Sequence, residues 1–270
     1  MTWQEESMGR HQRLLDAVTE GIQRVEDLAD ALGVSPSTVR RGLSELEQAG
    51  KVVRTHGGAV PVSATTELSW TQKSERNATA KRRIAERAAE LVEDGAVVLL
   101  DAGSTTTFVA ERLADRSGLT IVTNGIGPLW ALHDAEDVEV ILIGGHVRQR
   151  RGSIVGDYAR AVLDRVTADI AFIGADGLVP GRGLNCASSE LAAVKELQMR
   201  STRHTVVVAD STKIGAAPFP HWAIVPGPYT VITDEGVTED DRASLTEDPR
   251  CSPLIVPLGP DSPAMTPAEG

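Results

Sequence analysis

The chain has 270 residues and a formal net charge of −11, a length that suits two domains, one of them large enough to bury its own core. Two cysteines without CxxC spacing exclude a disulfide framework, and six histidines without ligand spacing give no metal site. No apolar run approaches about 20 residues and no signal-peptide core opens the chain, so a soluble cytoplasmic protein is expected, with no membrane partner and no cofactor.

Leu14, Leu15, Val18 and Ile22 recur at helical spacing, and Val25 to Leu32 gives a second helix ended by Gly33. Ser35 then caps a third helix with Pro36 in its first turn. Val39, Leu43 and Leu46 form its apolar stripe, while Ser37, Thr38, Arg40, Arg41 and Ser44 fall on other faces. Hydroxyls and guanidinium groups near a helix N-terminus suit phosphates and base edges. Two short helices, a tight turn and a polar-faced third helix predict a helix-turn-helix reading double-stranded operator DNA. Val52-Val53 and Ala59-Val60 flank Thr55-His56-Gly57-Gly58, predicting a hairpin wing that carries Lys51, Arg54 and His56. A three-helix domain binding another protein is the alternative; the cap, the arginine pair and the basic wing together favour DNA.

Residues 1–60 hold seven Lys/Arg and nine Asp/Glu, most of the acids before the third helix. Placement matters more than the sum, because salt limits a surface charge to a reach of about 10 Å. Modest non-specific affinity is expected. Paired heads on a homo-oligomer would read repeated or palindromic half-sites.

The boundaries expected are a winged helix-turn-helix over 1–60, a polar linker over 61–77, an α/β domain over 78–259 and a disordered Pro-rich tail over 260–270. Ala78 to Val92 reads as a helix. Apolar β-rich runs follow at 96–100, 119–122, 138–143, 168–173, 205–209, 230–232 and 254–256, with helices such as Phe108 to Leu113 and Ser189 to Arg200 between them. Continuous apolar strands alternating with helices imply a mainly parallel sheet covered on both faces, with ligands beyond the strands' carboxyl ends.

The residues at those ends are polar. Asp101 is followed by Gly103, Ser104, Thr105, Thr106 and Thr107 leading into a helix. Gly admits a ligand to the backbone, the hydroxyls and helix N-terminus offer donors, and together they predict a phosphate cradle. A capped βα turn would account for one hydroxyl of the four. The run is not a P-loop, lacking Gly-Lys-Ser/Thr. Asn124 follows the second strand and Asp210 and Lys213 the fifth, and Lys195 lies on the Ser189–Arg200 helix. Lys195 and Lys213 could neutralise a phosphate from different elements.

The segment "VSPSTVRRGLSELEQAGKVVRTHGGA" resembles the DNA-binding domain of the DeoR family of bacterial transcriptional regulators, except that Gly42 stands where the family usually has Asp. "LLDAGSTTT", "TIVTNG", "LIGG", "ADIAFIGADGL", "SSELAAVK" and "VVVADSTKIG", in that order, are similar to the family's effector domain. The resemblance covers about Arg10 to Ile255. It implies a sensor domain similar in fold to ribose-5-phosphate isomerase. In it the Gly103–Thr107 loop and Lys195 or Lys213 would hold the phosphate of a sugar or polyol, with Asp101, Asn124 and Asp210 facing hydroxyls. It leans towards repression of carbohydrate genes.

The rival is an aldose–ketose isomerase with an attached DNA-binding head. The resembled isomerases carry an Asp-Gly-Ala-Asp segment, and this chain has Ile173-Gly174-Ala175-Asp176. With the first carboxylate absent, catalysis is disfavoured and no catalytic residue is expected.

Overall fold

The computed structural model describes residues 11–18, 22, 24–48, 51–55, 57–61, 68–149 and 151–258. It divides into two compact units, one ending at Leu68 with Ala217–Phe219 grouped to it, the other formed by Ser69–Ala216 and the chain from Pro220. His56, residues 62–67 of the expected linker and the expected tail lie outside the described residues.

In the first unit, α1 (residues 11–18), α2 (Val25–Leu32) and α3 (Pro36–Gln48) precede a hairpin of β1 (Val52–Thr55) and β2 (Gly58–Pro61). Leu14, Val18, Leu28, Val39 and Leu43 meet in one buried core with Val52 and Ala59 of the hairpin. Gly33 ends α2 in the left-handed conformation at φ 62°, its N–H reaching Ala29 and Asp30 carbonyls, a geometry that favours glycine. The hairpin is antiparallel, Val52 facing Pro61 and Thr55 facing Gly58. The Val25 N–H donates to Gly57 O at 2.9 Å, fixing the hairpin to the start of α2.

Gly42 is buried in α3, and a Cβ there would stand 2.7 Å from Leu14 Cδ2. From the sequence, Gly42→Ala gains about 1 kcal/mol of helix propensity. The structure opposes that gain with Leu14, 4% exposed. Leu14 and Gly42 also line a groove of about 370 Å³, which lets the methyl rotate away. Gly42→Ala is therefore expected to change stability by less than about 1 kcal/mol in urea unfolding. A larger loss would show that Leu14 cannot yield.

The second unit opens with α4 (Trp70–Glu75), inside the segment expected to be a linker. Ser69 Oγ accepts from the Gln72 N–H at 3.3 Å and Gln72 Oε1 from the Ser69 N–H at 2.9 Å, a capping box. Then come α5 (Ala78–Ala89), β3 (Val97–Leu100), α6 (Ser104–Leu113), β4 (Leu119–Thr123), α7 (Ile126–Leu132) and β5 (Val138–Leu142). A hairpin of β6 (His146–Arg148) and β7 (Ser153–Val155) precedes α8 (Asp157–Leu163) and β8 (Ala168–Gly174). Next are β9 (Gly177–Val179), β10 (Gly183–Cys186), α9 (Ser189–Arg200) and β11 (Thr202–Val208). A 3-10 turn (Ser211–Lys213), β12 (His221–Ala223), β13 (Tyr229–Asp234), α10 (Glu239–Glu247) and β14 (Cys251–Val256) complete the unit.

The seven apolar runs are the seven strands of one sheet, ordered β14-β13-β11-β8-β3-β4-β5, and every pairing in it is parallel. Alternate residues serve opposite faces. Val98, Leu100, Ile170, Phe172, Val206 and Val208 pack beneath α5 and α6. Leu99, Ala171, Ile173 and Val207 pack against α8 and α9. Burial on both faces explains why the central strands β3, β4 and β8 read as unbroken apolar runs; the edge strand β5 leaves Glu139, Ile141 and Leu142 exposed. The chain leaves β3 for β4 and β5, then returns to β8 on the other side of β3. The switch point therefore lies between the carboxyl ends of β3 and β8, where open α/β sheets place ligands. A second antiparallel sheet, β12-β10-β9, is not expected from the sequence.

Candidate functional site

In the first unit, Ser35 caps α3: its Oγ accepts from the Thr38 N–H at 3.3 Å and lies 2.9 Å from Ser37 Oγ. Ser37, Arg40, Arg41 and Lys51 are exposed. Arg40 Nη2 stands 3.3 Å from Glu26 Oε1, both side chains more than half exposed, a geometry worth little to stability and easily exchanged for a phosphate. Arg54 behaves differently from the expected phosphate contact. Its Nε donates to Gly58 O at 3.2 Å, and its Nη1 to Arg40 O at 3.2 Å and Ser44 Oγ at 3.4 Å. It ties the hairpin to α3, and Ser44 is held by that bond and by its own bond to Arg40 O at 3.0 Å.

In the second unit the switch point is polar and buried. Asp101 ends β3 fully buried; its Oδ2 accepts from the Gly174 N–H at 3.1 Å and from Lys195 Nζ. Lys195 also donates to Gly174 O at 2.8 Å. Burial alone would depress the Lys195 ammonium; Asp101, helped by Cys186 and Asp176, holds its pKa above the ordinary lysine value. Asp101 Oδ1 has no hydrogen-bond partner among the described residues. Beside it α6 begins at Ser104, so the hydroxyl run forms the helix's first turn, not the loop before it. The N–H groups of Ser104, Thr105 and Thr106 precede the first intrahelical bond, from the Thr107 N–H to Gly103 O at 3.0 Å, and are open to an acceptor.

The hydroxyls themselves are largely engaged. Thr106 Oγ1 donates to Asp101 O at 2.5 Å and Gly103 O at 3.0 Å, and Thr107 Oγ1 to Gly103 O at 2.7 Å. Ser104 Oγ donates to Lys73 O at 3.3 Å. Asn124 is engaged as well: its Oδ1 accepts from the Ala102 N–H at 3.0 Å and Gln198 Nε2 at 3.1 Å, and its Nδ2 donates to Ile154 O at 3.1 Å. It shapes the loop carrying Gly103. Gln198, one turn beyond Lys195 on α9, belongs to the same buried network.

Asp210 and Lys213, at the end of β11, adjoin this site. Asp210 Oδ1 accepts from Asn77 Nδ2 at 2.8 Å and from Thr212 Oγ1. Burial would raise its pKa; Lys213, Thr212, Lys81 and Asn77 hold it below the ordinary carboxylate value. Lys213 makes no direct ion pair among the described residues. Lys73 Nζ reaches Asp176 Oδ1 at 2.6 Å. Burial would raise the Asp176 carboxyl, but Lys73, with Lys213 and Lys195, holds it low. These groups interact as one cluster, in which Lys73, Arg76, Lys81, Lys195 and Lys213 outnumber Asp101, Asp176 and Asp210. The surplus of positive charge favours an anion. Lys73, Arg76, Asn77, Lys81, Asp176 and Gln198 are not among the residues expected from the sequence.

Lys81 is buried and donates to Lys73 O and to Arg76 O at 2.7 Å. Burial first, then Lys213, Lys73 and Arg76 against the pull of Asp210, push it down to about 8. Its folded pKa lies below its ordinary value of 10.5, so across that interval the unfolded chain binds more protons and this group adds stability as pH rises. The stability difference between wild type and Lys81→Met is therefore expected to move in favour of wild type from pH 8 to 10 in urea titrations. A difference that stays flat would show that Lys81 titrates normally.

A winged helix-turn-helix joined to an α/β domain with a polar site at its switch point defines a transcriptional regulator that carries a sensor. The chain belongs to the DeoR family: the model of the DeoR-like helix-turn-helix domain matches residues 10–65 and that of the DeoR C terminal sensor domain residues 76–235. The HTH-type transcriptional regulator GlpR of Haloferax volcanii is 37% identical over 239 residues, covering 87% of this chain and 93% of its own. The glycerol-3-phosphate regulon repressor of Escherichia coli is 31% identical over 207 residues, covering 76% and 82%. Ribose 5-phosphate isomerase A from Methanocaldococcus jannaschii aligns over 51% of this chain and 54% of its own, at 21% identity and a TM-score of 0.39. No helix among the described residues is long and apolar enough to cross a membrane.

Proposed function

We propose that the protein is a cytoplasmic repressor of carbohydrate genes that binds operator DNA through α3 and releases it when a phosphorylated sugar or polyol enters the switch-point site. The carrying observation is the juxtaposition there of open α6 N–H groups, a surplus of cations and a buried carboxylate oxygen, Asp101 Oδ1, without a partner among the described residues. The N–H groups and cations suit a phosphate dianion; the carboxylate oxygen suits a ligand hydroxyl. The repressor name of the E. coli relative makes glycerol 3-phosphate the first compound to try. No turnover is proposed: Ile173, where the resembled isomerases carry a carboxylate, is fully buried in the apolar core. Half-site reading by paired heads calls for a homo-oligomer.

A thermal-shift panel of phosphate esters and their unphosphorylated parents tests the ligand class. An ester at 100 times its dissociation constant is expected to stabilise the protein by about 2.7 kcal/mol, its parent by much less. Equal shifts from both would remove the phosphate argument. Operator titrations with and without the ester should then differ about 5- to 150-fold, and linkage requires the same factor in ester titrations with and without operator. Unchanged affinity in both would leave two unconnected binding activities, and an isomerised product seen by NMR would favour the enzyme.

A further inference from the structure

The helix that directly follows the DNA-binding unit is fastened to the site by several side chains at once. Lys73 of α4 pairs with Asp176 at 2.6 Å. Its carbonyl accepts from Ser104 Oγ at 3.3 Å, on the first turn of α6. Lys81 of α5 caps the end of α4 through the Lys73 and Arg76 carbonyls. Between the two helices, Asn77 adopts φ 54°, the one positive φ outside glycine among the described residues, and its Nδ2 is held at 2.8 Å by Asp210 Oδ1. A left-handed asparagine held by a side-chain bond gives the chain a point at which to change direction.

The seat of α4 also leaves something unsatisfied. Trp70 Nε1 is buried without a hydrogen-bond partner among the described residues. Lys73 and Asp176 are both partly exposed, at 29% and 16%, so the pair is reachable from solvent. An anion at the N-terminus of α6 would lie beside the Lys73 carbonyl bond and close to Asp176, whose carboxylate would repel it.

We propose that Lys73 is a ligand-contacting residue that exchanges Asp176 for the phosphate of the effector, and that α4 carries this exchange into the chain leading to the DNA-binding unit. The inference rests on the phosphate reading above. A lysine suits such an exchange, being a compact charge on a flexible stem. Asp176 holds it in the empty site, and the incoming dianion, carrying roughly −1.5 to −2 charge, competes for it. The exchange releases one of the bonds that seat α4, and Asn77 allows the helix to move against α5.

The test uses the full chain with inorganic phosphate and with glycerol 3-phosphate as probes, and hydrogen–deuterium exchange over residues 69–77 as the readout of α4. In the wild type, phosphate is expected to change exchange in that segment. Lys73→Gln should bind phosphate about tenfold more weakly and show no change there, and Lys73→Arg should restore both. Asp176→Asn should bind phosphate more tightly and already exchange like the ligand-bound wild type. Circular dichroism and a urea midpoint check that each variant is folded; if Lys73→Gln is not, Asp176→Asn decides. A wild type that binds either probe while Lys73→Gln or Asp176→Asn leaves affinity and exchange unaltered overturns this inference alone. A wild type that binds no phosphate compound overturns the proposed function, and this inference with it.

Discussion

Asp101→Asn is expected to destabilise the sensor unit by about 3–5 kcal/mol, because it strands a buried ammonium. Lys195 is 6% exposed, and apart from Asp101 its ammonium donates to Gly174 O at 2.8 Å. The amide keeps the shape of the carboxylate and removes its charge. Lys195→Met leaves the complementary problem, a buried carboxylate with the Gly174 N–H at 3.1 Å, and a loss of the same order is expected. The double variant Asp101→Asn with Lys195→Met should recover much of either loss, since no charge is then buried. The pH dependence gives a second check. The Lys195 pKa is raised in the wild type, so the pair's stability is fully present below the ordinary lysine value and is lost as pH rises through the folded value. In Asp101→Asn the ammonium retains desolvation without its main counter-charge, and stability should instead rise with pH towards 10. Single losses below about 1 kcal/mol in urea unfolding would show that water or relaxation already screens the pair.

That pair joins two residues to which the sequence alone assigns separate roles, and the difference has a physical cause. Strand ends and helix faces are legible: Val25–Leu32 and Ser189–Arg200 have the bounds expected, because Gly33 and Ser188 end and begin them with recognisable caps. The seven runs are the seven strands of the sheet, and those at its centre, such as β3 and β8, are apolar without a break because they are buried on both faces. Which polar group meets which is a tertiary matter. The hydroxyl run reads as a set of ligand donors, yet Thr106 and Thr107 bond their own backbone, a local competition that short hydroxyl side chains commonly win at helix starts. Helix α4 is hard to see in the sequence because its six residues have no apolar period, although Ser69 and Gln72 carry the spacing of a capping box. Lys73 is hidden with it. Lys81 stands three residues before Ile84 and seven before Ala88, so helical spacing places it, unlike Arg82 and Arg83, on the inward face of α5; what it meets there is not legible from that spacing.

Arg40→Ala combined with Arg41→Ala should leave the fold intact and weaken operator binding by about 1–3 kcal/mol for each base that α3 no longer reads. The two effects separate because Arg40 gives little to the free protein. Its partner Glu26 is 3.3 Å away and both side chains are more than half exposed, a pairing whose worth is commonly below about 1 kcal/mol. Arg41 is likewise exposed on α3. Arg54→Ala is the contrasting variant. Its guanidinium bridges Gly58 O, Arg40 O and Ser44 Oγ, so its removal should loosen the hairpin from α3 and lower stability as well as DNA affinity. Titrations of the gene's upstream DNA at several salt concentrations distinguish how each arginine acts. Removing a residue that sits on a phosphate weakens specific and non-specific binding alike and reduces the salt slope by about 1; removing one that sits on a base edge lowers the ratio between them. The double arginine variant is expected to lose that ratio. If it binds the upstream DNA as tightly and as selectively as the parent, the reading surface is not this face of α3, and the exposed cap residues Ser35 and Ser37 with Lys51 become the groups to remove next.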